Sequence, residues 1–190
     1  MPTSVIAFLI LLVLVGALRL GEMQLSARNQ RRLAERGVAK VSEPALRWMI
    51  PLHAGILISA GVEVLALHRP LIPALAVGAA IVFVFANFLR WWVIRTLAGH
   101  WNVQVMASAG LGVVASGPYK WIRHPNYLAV ILEVCSLPLI HTAWITAIWG
   151  TLGFIWILRG RLAVEEAVLM SSPEYRTMMG SKPRFVPGLF

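Results

Sequence analysis

Of the 190 residues, 58% are hydrophobic and only 13% are charged, where a soluble domain carries roughly 25% charged residues. Aspartate is absent, and the single cysteine, Cys135, excludes both an internal disulfide and a zinc cluster built from thiolates. A formal charge of +9 would suggest nucleic acid in a soluble protein, but with a mean hydropathy of +0.74 the placement of the cations decides its meaning.

This is the composition of an all-α integral membrane protein, long enough for one helical bundle without a separate soluble domain. Met1–Leu18 carries no charge, and the first basic residue, Arg19, follows the apolar run. The segment therefore reads as an uncleaved first span with its amino end outside. Gly21–Arg47 sets Arg28, Arg31, Arg32, Arg36, Lys40 and Arg47 against Glu22, Glu35 and Glu43. A short helix through Ser26–Arg36, stopped by Gly37, is expected there, in a solvated loop near anionic headgroups. Trp48–Leu67 and Leu71–Leu89 are the second and third spans, joined by a tight turn at His68-Arg69-Pro70. Arg90, Trp91, Trp92, Arg95, His100 and Trp101 mix cations with indoles, which suits an interfacial segment. Asn102–Ser116 is weakly apolar and is expected to loop or dip at the surface.

Gly117–Tyr127 reads GPYKWIRHPNY and places Tyr119, Lys120, Arg123, His124 and Tyr127 between two apolar regions. Pro125 biases His124 away from helical geometry and opens the next helix. Asn126–Leu158 is a 33-residue apolar stretch broken by Pro138 and His141-Thr142. Each half is shorter than the about 20 residues that a span needs, so a helical hairpin is expected. The tail continues as a helix to about Met170, breaks at Ser171-Ser172-Pro173 and ends in a Pro/Gly-rich segment. Five crossings with the carboxyl end cytoplasmic put 16 of the 17 Lys and Arg on the cytoplasmic side, with only Arg69 outside. That asymmetry accounts for the net charge without nucleic acid.

Three polar clusters then share one face: Arg90–Trp101, Gly117–Tyr127 and Arg159–Arg184. Within the spans, His53, Glu63, Glu133 and His141 are ionisable; Glu63 and His141 reach water at the outer side, while His53 and Glu133 approach the cytoplasmic face. The adjacent carboxylates Glu165 and Glu166 point about 100° apart on a helix, so they face different surroundings. Arg159 and Arg161 are their expected partners.

The run LRWW, SGPYKWIRHPNYL, a hairpin, RxRxxxEE, EYR and PRFVP resembles the isoprenylcysteine carboxyl methyltransferase family over roughly Leu89–Pro187. Its most specific pieces are Tyr119, Arg123-His124-Pro125, Tyr127 and Glu165-Glu166. The resemblance implies a multispan enzyme that uses S-adenosylmethionine and releases S-adenosylhomocysteine. It makes Tyr119, Arg123, His124, Pro125, Tyr127, Arg161, Glu165 and Glu166 cofactor-site candidates, with no metal. Arg90 matches the arginine near the methyl-accepting group, where a guanidinium can grip a carboxylate through two hydrogen bonds. Residues 1–88 form an amino-terminal unit of helices and a basic loop, and 89–190 the methyltransferase core. The implied reaction is methyl transfer to a carboxylate, or to a phenol or enol oxygen, of a lipid-like or prenylated acceptor at the cytoplasmic face of a bacterial inner membrane. The second tyrosine of the family's YxxY is missing, since Tyr175 is followed by Met178. Membrane phospholipid methyltransferases share a similar RHPxY plus EE signature, so an amine acceptor is an alternative, as is a non-catalytic scaffold or transporter. A nicotinamide reductase would need a dinucleotide glycine fingerprint, and none is present.

Overall fold

Thr3–Glu35 is one uninterrupted helix, α1, about 50 Å long at 1.5 Å per residue. The first span and the expected short helix are therefore fused. Between Leu18 and Glu35 there is no proline, and most residues are strong helix formers, so nothing stops the helix when the polarity changes. It ends where Gly37 takes a φ of 77°, and the N–H groups of Gly37 and Val38 close onto the carbonyls of Ala34 and Leu33.

The computed structural model describes residues 1–106 and 112–186, so the expected Asn102–Ser116 loop and the last proline of PRFVP lie partly outside the described residues. Within them the chain is all-helical, without strands. After α1 come α2 (Leu46–Ala66), α3 (Pro73–Leu97), α4 (Pro125–Leu139), α5 (Trp144–Met170) and a short α6 (Pro173–Met179). Single 3-10 turns lie at Ala98–His100 and Gly117–Lys120. Four helices, α1, α2, α3 and α5, are long and apolar enough to cross a membrane, whereas α4 has 15 residues. α3 runs on through Arg90 to Leu97, beyond the end expected from the apolar run. α5 joins the hairpin's second arm to the helical tail without a break.

Large apolar side chains face outward on every long helix: Val13 is 71% exposed, Ile58 66%, Ile81 65% and Trp156 69%. Polar groups are inside instead, among them Arg90, His124, Glu133 and Arg161. A lipid solvent dictates that inversion. α4 packs between α3 and α5, and α2 lies against α1 and α5. Gly150 permits the α2–α5 approach, since a Cβ there would run into Ile56. Where α2 ends and α5 begins, Glu63 accepts from the Ile145 and Thr146 N–H groups and the Thr146 hydroxyl, and pairs with Arg69 at 2.8 Å. It is a cap that opposes the dipole of α5. His141 meets Ser4, and Thr142, with φ 54°, donates to the Pro70 carbonyl at 2.6 Å, closing the hairpin turn.

Candidate functional site

Pro125 occupies the first turn of α4 and holds His124 outside it, at φ −126° and ψ 57°. The backbone before the helix is thereby free to pair elsewhere. Arg123 and His124 donate their N–H groups to the carbonyls of Pro183 and Arg184, at 2.9 and 3.0 Å. The Lys182 ammonium reaches the Tyr119 carbonyl at 2.7 Å. The tail thus folds back over the RHPxY segment and brings Phe185 to 6.2 Å from the His124 ring, which also stacks on Tyr127 at 5.6 Å. Gly117, at φ 56°, sits so close to Thr96 and Trp92 that no side chain fits there.

The adjacent carboxylates part company as helix geometry requires. Glu166 gathers Arg123 at 3.0 Å, His124 Nε2 at 3.1 Å and Arg184 at 2.6 Å. Arg184 holds it through both Nε and Nη2, and this hydrogen-bonded carboxylate raises the pKa of the Arg184 guanidinium. Glu165 faces the other way, 4.0 Å from His124 Nδ1, and lines two adjoining cavities of about 120 and 160 Å³. It pairs with neither Arg159 nor Arg161 among the described residues. Arg161, 4% exposed, is bound instead to Glu43 at 3.2 Å and to the Val103 carbonyl, and lies over the Tyr127 ring.

Trp101–Met106 is a strap that walls these cavities. The Asn29 amide donates to the carbonyls of Ala98 and Trp101, Ser26 Oγ accepts from Val103 N–H, and Glu43 accepts from Val105 N–H. Val41 N–H donates to the Val105 carbonyl at 3.0 Å. These contacts draw Trp101 inward until it is 1% exposed, so it is not the interfacial indole that composition suggests. Burial raises the pKa of the Glu43 carboxyl, against the pull of Arg161.

Arg90 is 8% exposed on α3. Its Nε and Nη2 are taken by Glu22 of α1 at 2.6–3.0 Å. Glu22 also accepts from Arg19 at 2.7 Å, and Arg19 lies 3.5 Å from Glu133 of α4. The fork that would grip a substrate carboxylate in two parallel hydrogen bonds is therefore occupied, and Nη1 alone lacks a partner.

Of the nine residues singled out in the sequence, seven line the first cavity: Arg90, Tyr119, Arg123, His124, Tyr127, Arg161 and Glu165. Pro125 shapes the backbone, and Glu166 braces the wall from behind. Met49, His53, Val130 and Phe154 form an apolar side of the same cavity, where His53 Nδ1 donates to the Met49 carbonyl at 2.8 Å. Six buried polar atoms on residues of its lining have no hydrogen-bond partner among the described residues: Arg90 Nη1, Trp101 Nε1, Asn102 Oδ1, Arg123 Nε, Asn126 Oδ1 and Arg161 Nε, the last of which has only its ion pair with Glu43. Unpaired buried groups are costly, and six on the walls of one cavity are groups that a bound polar ligand or ordered water would satisfy. Burial, reinforced by the nearby Glu165 carboxylate, raises the phenol of Tyr119 and lifts Tyr175 to about 12, so both rings stay neutral donors.

Sequence reasoning missed Glu22, Glu43, the strap, Asn126 and Arg184. For Glu22 a signal existed: a carboxylate three residues after Arg19, just past an uncharged apolar run. Glu43 and the strap meet only through contacts more than fifty positions apart, which no local pattern records.

Residues 79–171 match the family model described as isoprenylcysteine carboxyl methyltransferase (ICMT) family. The chain is similar to the uncharacterized protein YpbQ of Bacillus subtilis, 28% identical over 162 residues, which is 85% of this chain and 96% of that one. An uncharacterized protein of Haemophilus influenzae is 26% identical over 154 residues, 80% of this chain and 89% of its own length. Among solved structures, that of the eukaryotic intramembrane Ras methyltransferase ICMT superposes with a TM-score of 0.54 at 21% identity, over 78% of this chain. This chain spans about half of that protein, 55%, and the likeness is one of fold.

Proposed function

From the match of residues 79–171 to the isoprenylcysteine carboxyl methyltransferase family, we propose that this membrane protein methylates a carboxylate, or a phenol or enol oxygen, of a lipid-like acceptor with S-adenosylmethionine. The observation that carries the reading is the ring of unpartnered buried polar atoms around the first cavity, with Glu165 as its one carboxylate. When bound, the cofactor supplies a methyl group activated by a sulfonium. The residues present fit that group. Glu165, free of any arginine, would take the ammonium or a ribose diol, and the rings of Tyr119 and Tyr127 offer their faces to a cation. Arg123 Nε and Asn126 Oδ1 add a donor and an acceptor. Glu166, by gripping Arg123, His124 and Arg184 together, keeps the wall in place without touching the ligand.

Arg90 Nη1 is the group proposed to contact the acceptor oxygen. Because Glu22 already neutralises the guanidinium, that contact is a single directed hydrogen bond, which orients the oxygen more than it attracts charge. An ionised acceptor needs no base, so alignment supplies most of the rate. A phenol or enol would have to lose a proton, and His53, whose Nδ1–H is held by Met49, presents Nε2 as an acceptor on the same cavity's apolar side. We read the membrane placement as five crossings, α4 being the short fourth, with the amino end outside and the site open to the cytoplasmic face of a bacterial inner membrane.

Calorimetric titration of the detergent-solubilised protein with S-adenosylhomocysteine tests the cofactor assignment. Saturable binding is expected, weakened about ten- to a hundredfold in Glu165→Ala, as for loss of a hydrogen bond to a charged group. A folded, monodisperse sample without binding would sink the proposal.

A further inference from the structure

We propose that the cleft between the carboxyl-terminal ends of α1 and α3 binds the phosphate of an anionic phospholipid through Arg32, Arg36 and Arg95. Two adjoining hollows, which share Arg32, Ala98 and Gly99, make up the cleft. The three arginines line it, and none of them forms an ion pair or hydrogen bond among the described residues. No carboxylate lines either hollow. Glu35 shares α1 with two of the arginines but contacts neither cleft nor cation. Three arginines lining adjoining hollows without a counter-charge call for an anion bearing several acceptor oxygens.

The depth of the cleft selects the source of that anion. The Arg95 guanidinium lies 4.4 Å from the ring centroid of Trp91, an indole that is 49% exposed on the outer face of α3. Indoles settle at the level of the headgroups, so the cation above Trp91 stands at the phosphates. Below the arginines the cleft is lined by Leu25 and Ile94, apolar surface that suits an acyl chain and offers nothing to a soluble phosphate. The occupant is therefore a phospholipid of the surrounding leaflet. Arg28 and Arg31 lie on the same helix with the same charge, yet line neither hollow. That contrast separates a site from a diffusely basic surface. The proposal is independent of the methyl-transfer reading, since no residue of the cofactor cavity takes part in holding the phosphate.

Native mass spectrometry of the full chain, incubated with phosphatidylglycerol or with phosphatidylcholine of equal chain length, tests it. Phosphatidylglycerol adducts are expected to survive detergent removal in the wild type and in the double variant Arg28→Gln/Arg31→Gln. Affinity is expected to fall about fivefold in Arg95→Gln and about 25-fold in Arg32→Gln/Arg36→Gln, taking about fivefold per arginine near a charged surface. All three substitution sets are exposed or surface-facing, and unchanged melting curves would establish that each variant is folded. Equal losses in the two double variants would overturn the site in favour of diffuse attraction. Equal retention of phosphatidylcholine, or displacement of the lipid by inorganic phosphate alone, would overturn the anionic lipid as its occupant.

Discussion

Arg90 spends two of its three nitrogens on Glu22, and that pair sets what the residue can do. Both partners are nearly buried, with side chains 10% and 11% exposed. Removing one partner of a buried pair leaves an uncompensated charge, at a cost of about 3–5 kcal/mol, whereas removing both costs much less. Glu22→Ala is therefore expected to lower the denaturation midpoint more than Glu22→Ala/Arg90→Ala does. A double variant at least as unstable as the single one would mean that the pair is incidental. Arg90→Ala should leave S-adenosylhomocysteine affinity intact. At the same scale Tyr175 makes a pH prediction. Its pKa of about 12 in the fold lies above the ordinary 10 for a phenol. The folded state thus keeps a proton that the unfolded chain loses, so stability is fully present below pH 10 and declines as pH rises from about 10 to about 12. Melting curves across that window should fall more steeply for the wild type than for Tyr175→Phe.

The tail is the element whose importance exceeds its length. Pro183 and Arg184 accept the backbone N–H groups of Arg123 and His124, and the Arg184 side chain closes on Glu166 from the other side. Because Arg184 is 45% exposed, the ion pair itself contributes no more than about 1 kcal/mol. Arg184→Gln should accordingly weaken S-adenosylhomocysteine binding by up to about fivefold, measured calorimetrically, and lower the melting point by no more than about 4 °C. A loss as large as that of Glu165→Ala would mean that Arg184 itself touches the ligand. The tail also shows what the sequence could and could not reveal. RHPxY and the paired carboxylates were legible because backbone bias at Pro125 and the 100° turn between neighbours are local consequences of composition. The end of α1 at Gly37 was legible for the same reason, although its fusion with the first span was not: a change of polarity does not interrupt a helix most of whose residues favour it and that contains no proline. The pairing of Arg161 was misread because a cation four residues from a carboxylate is a good local guess, and Glu43, in a distant loop, outcompeted it.

For the whole molecule, the proposed orientation predicts labelling. Cys135 is the only cysteine, so a Cys135→Ser background gives a clean start. Cysteine in place of His68 should react with a membrane-impermeant maleimide in intact spheroplasts, and cysteine in place of Arg176 only after permeabilisation. The reverse pattern would invert the topology and place the proposed cofactor cavity on the wrong side for a cytoplasmic ligand. The two charge pairs Glu22–Arg90 and Glu43–Arg161 each join residues 1–88 to residues 89–190, within side chains that are nearly or wholly shielded. The two segments therefore have to match each other at these four positions. A chimera that takes its first 88 residues from one relative and the remainder from another inherits four charged positions that must agree in sign across the splice. Crosses between relatives that differ at one member of a pair should fail, and a compensating change at the other member should restore them.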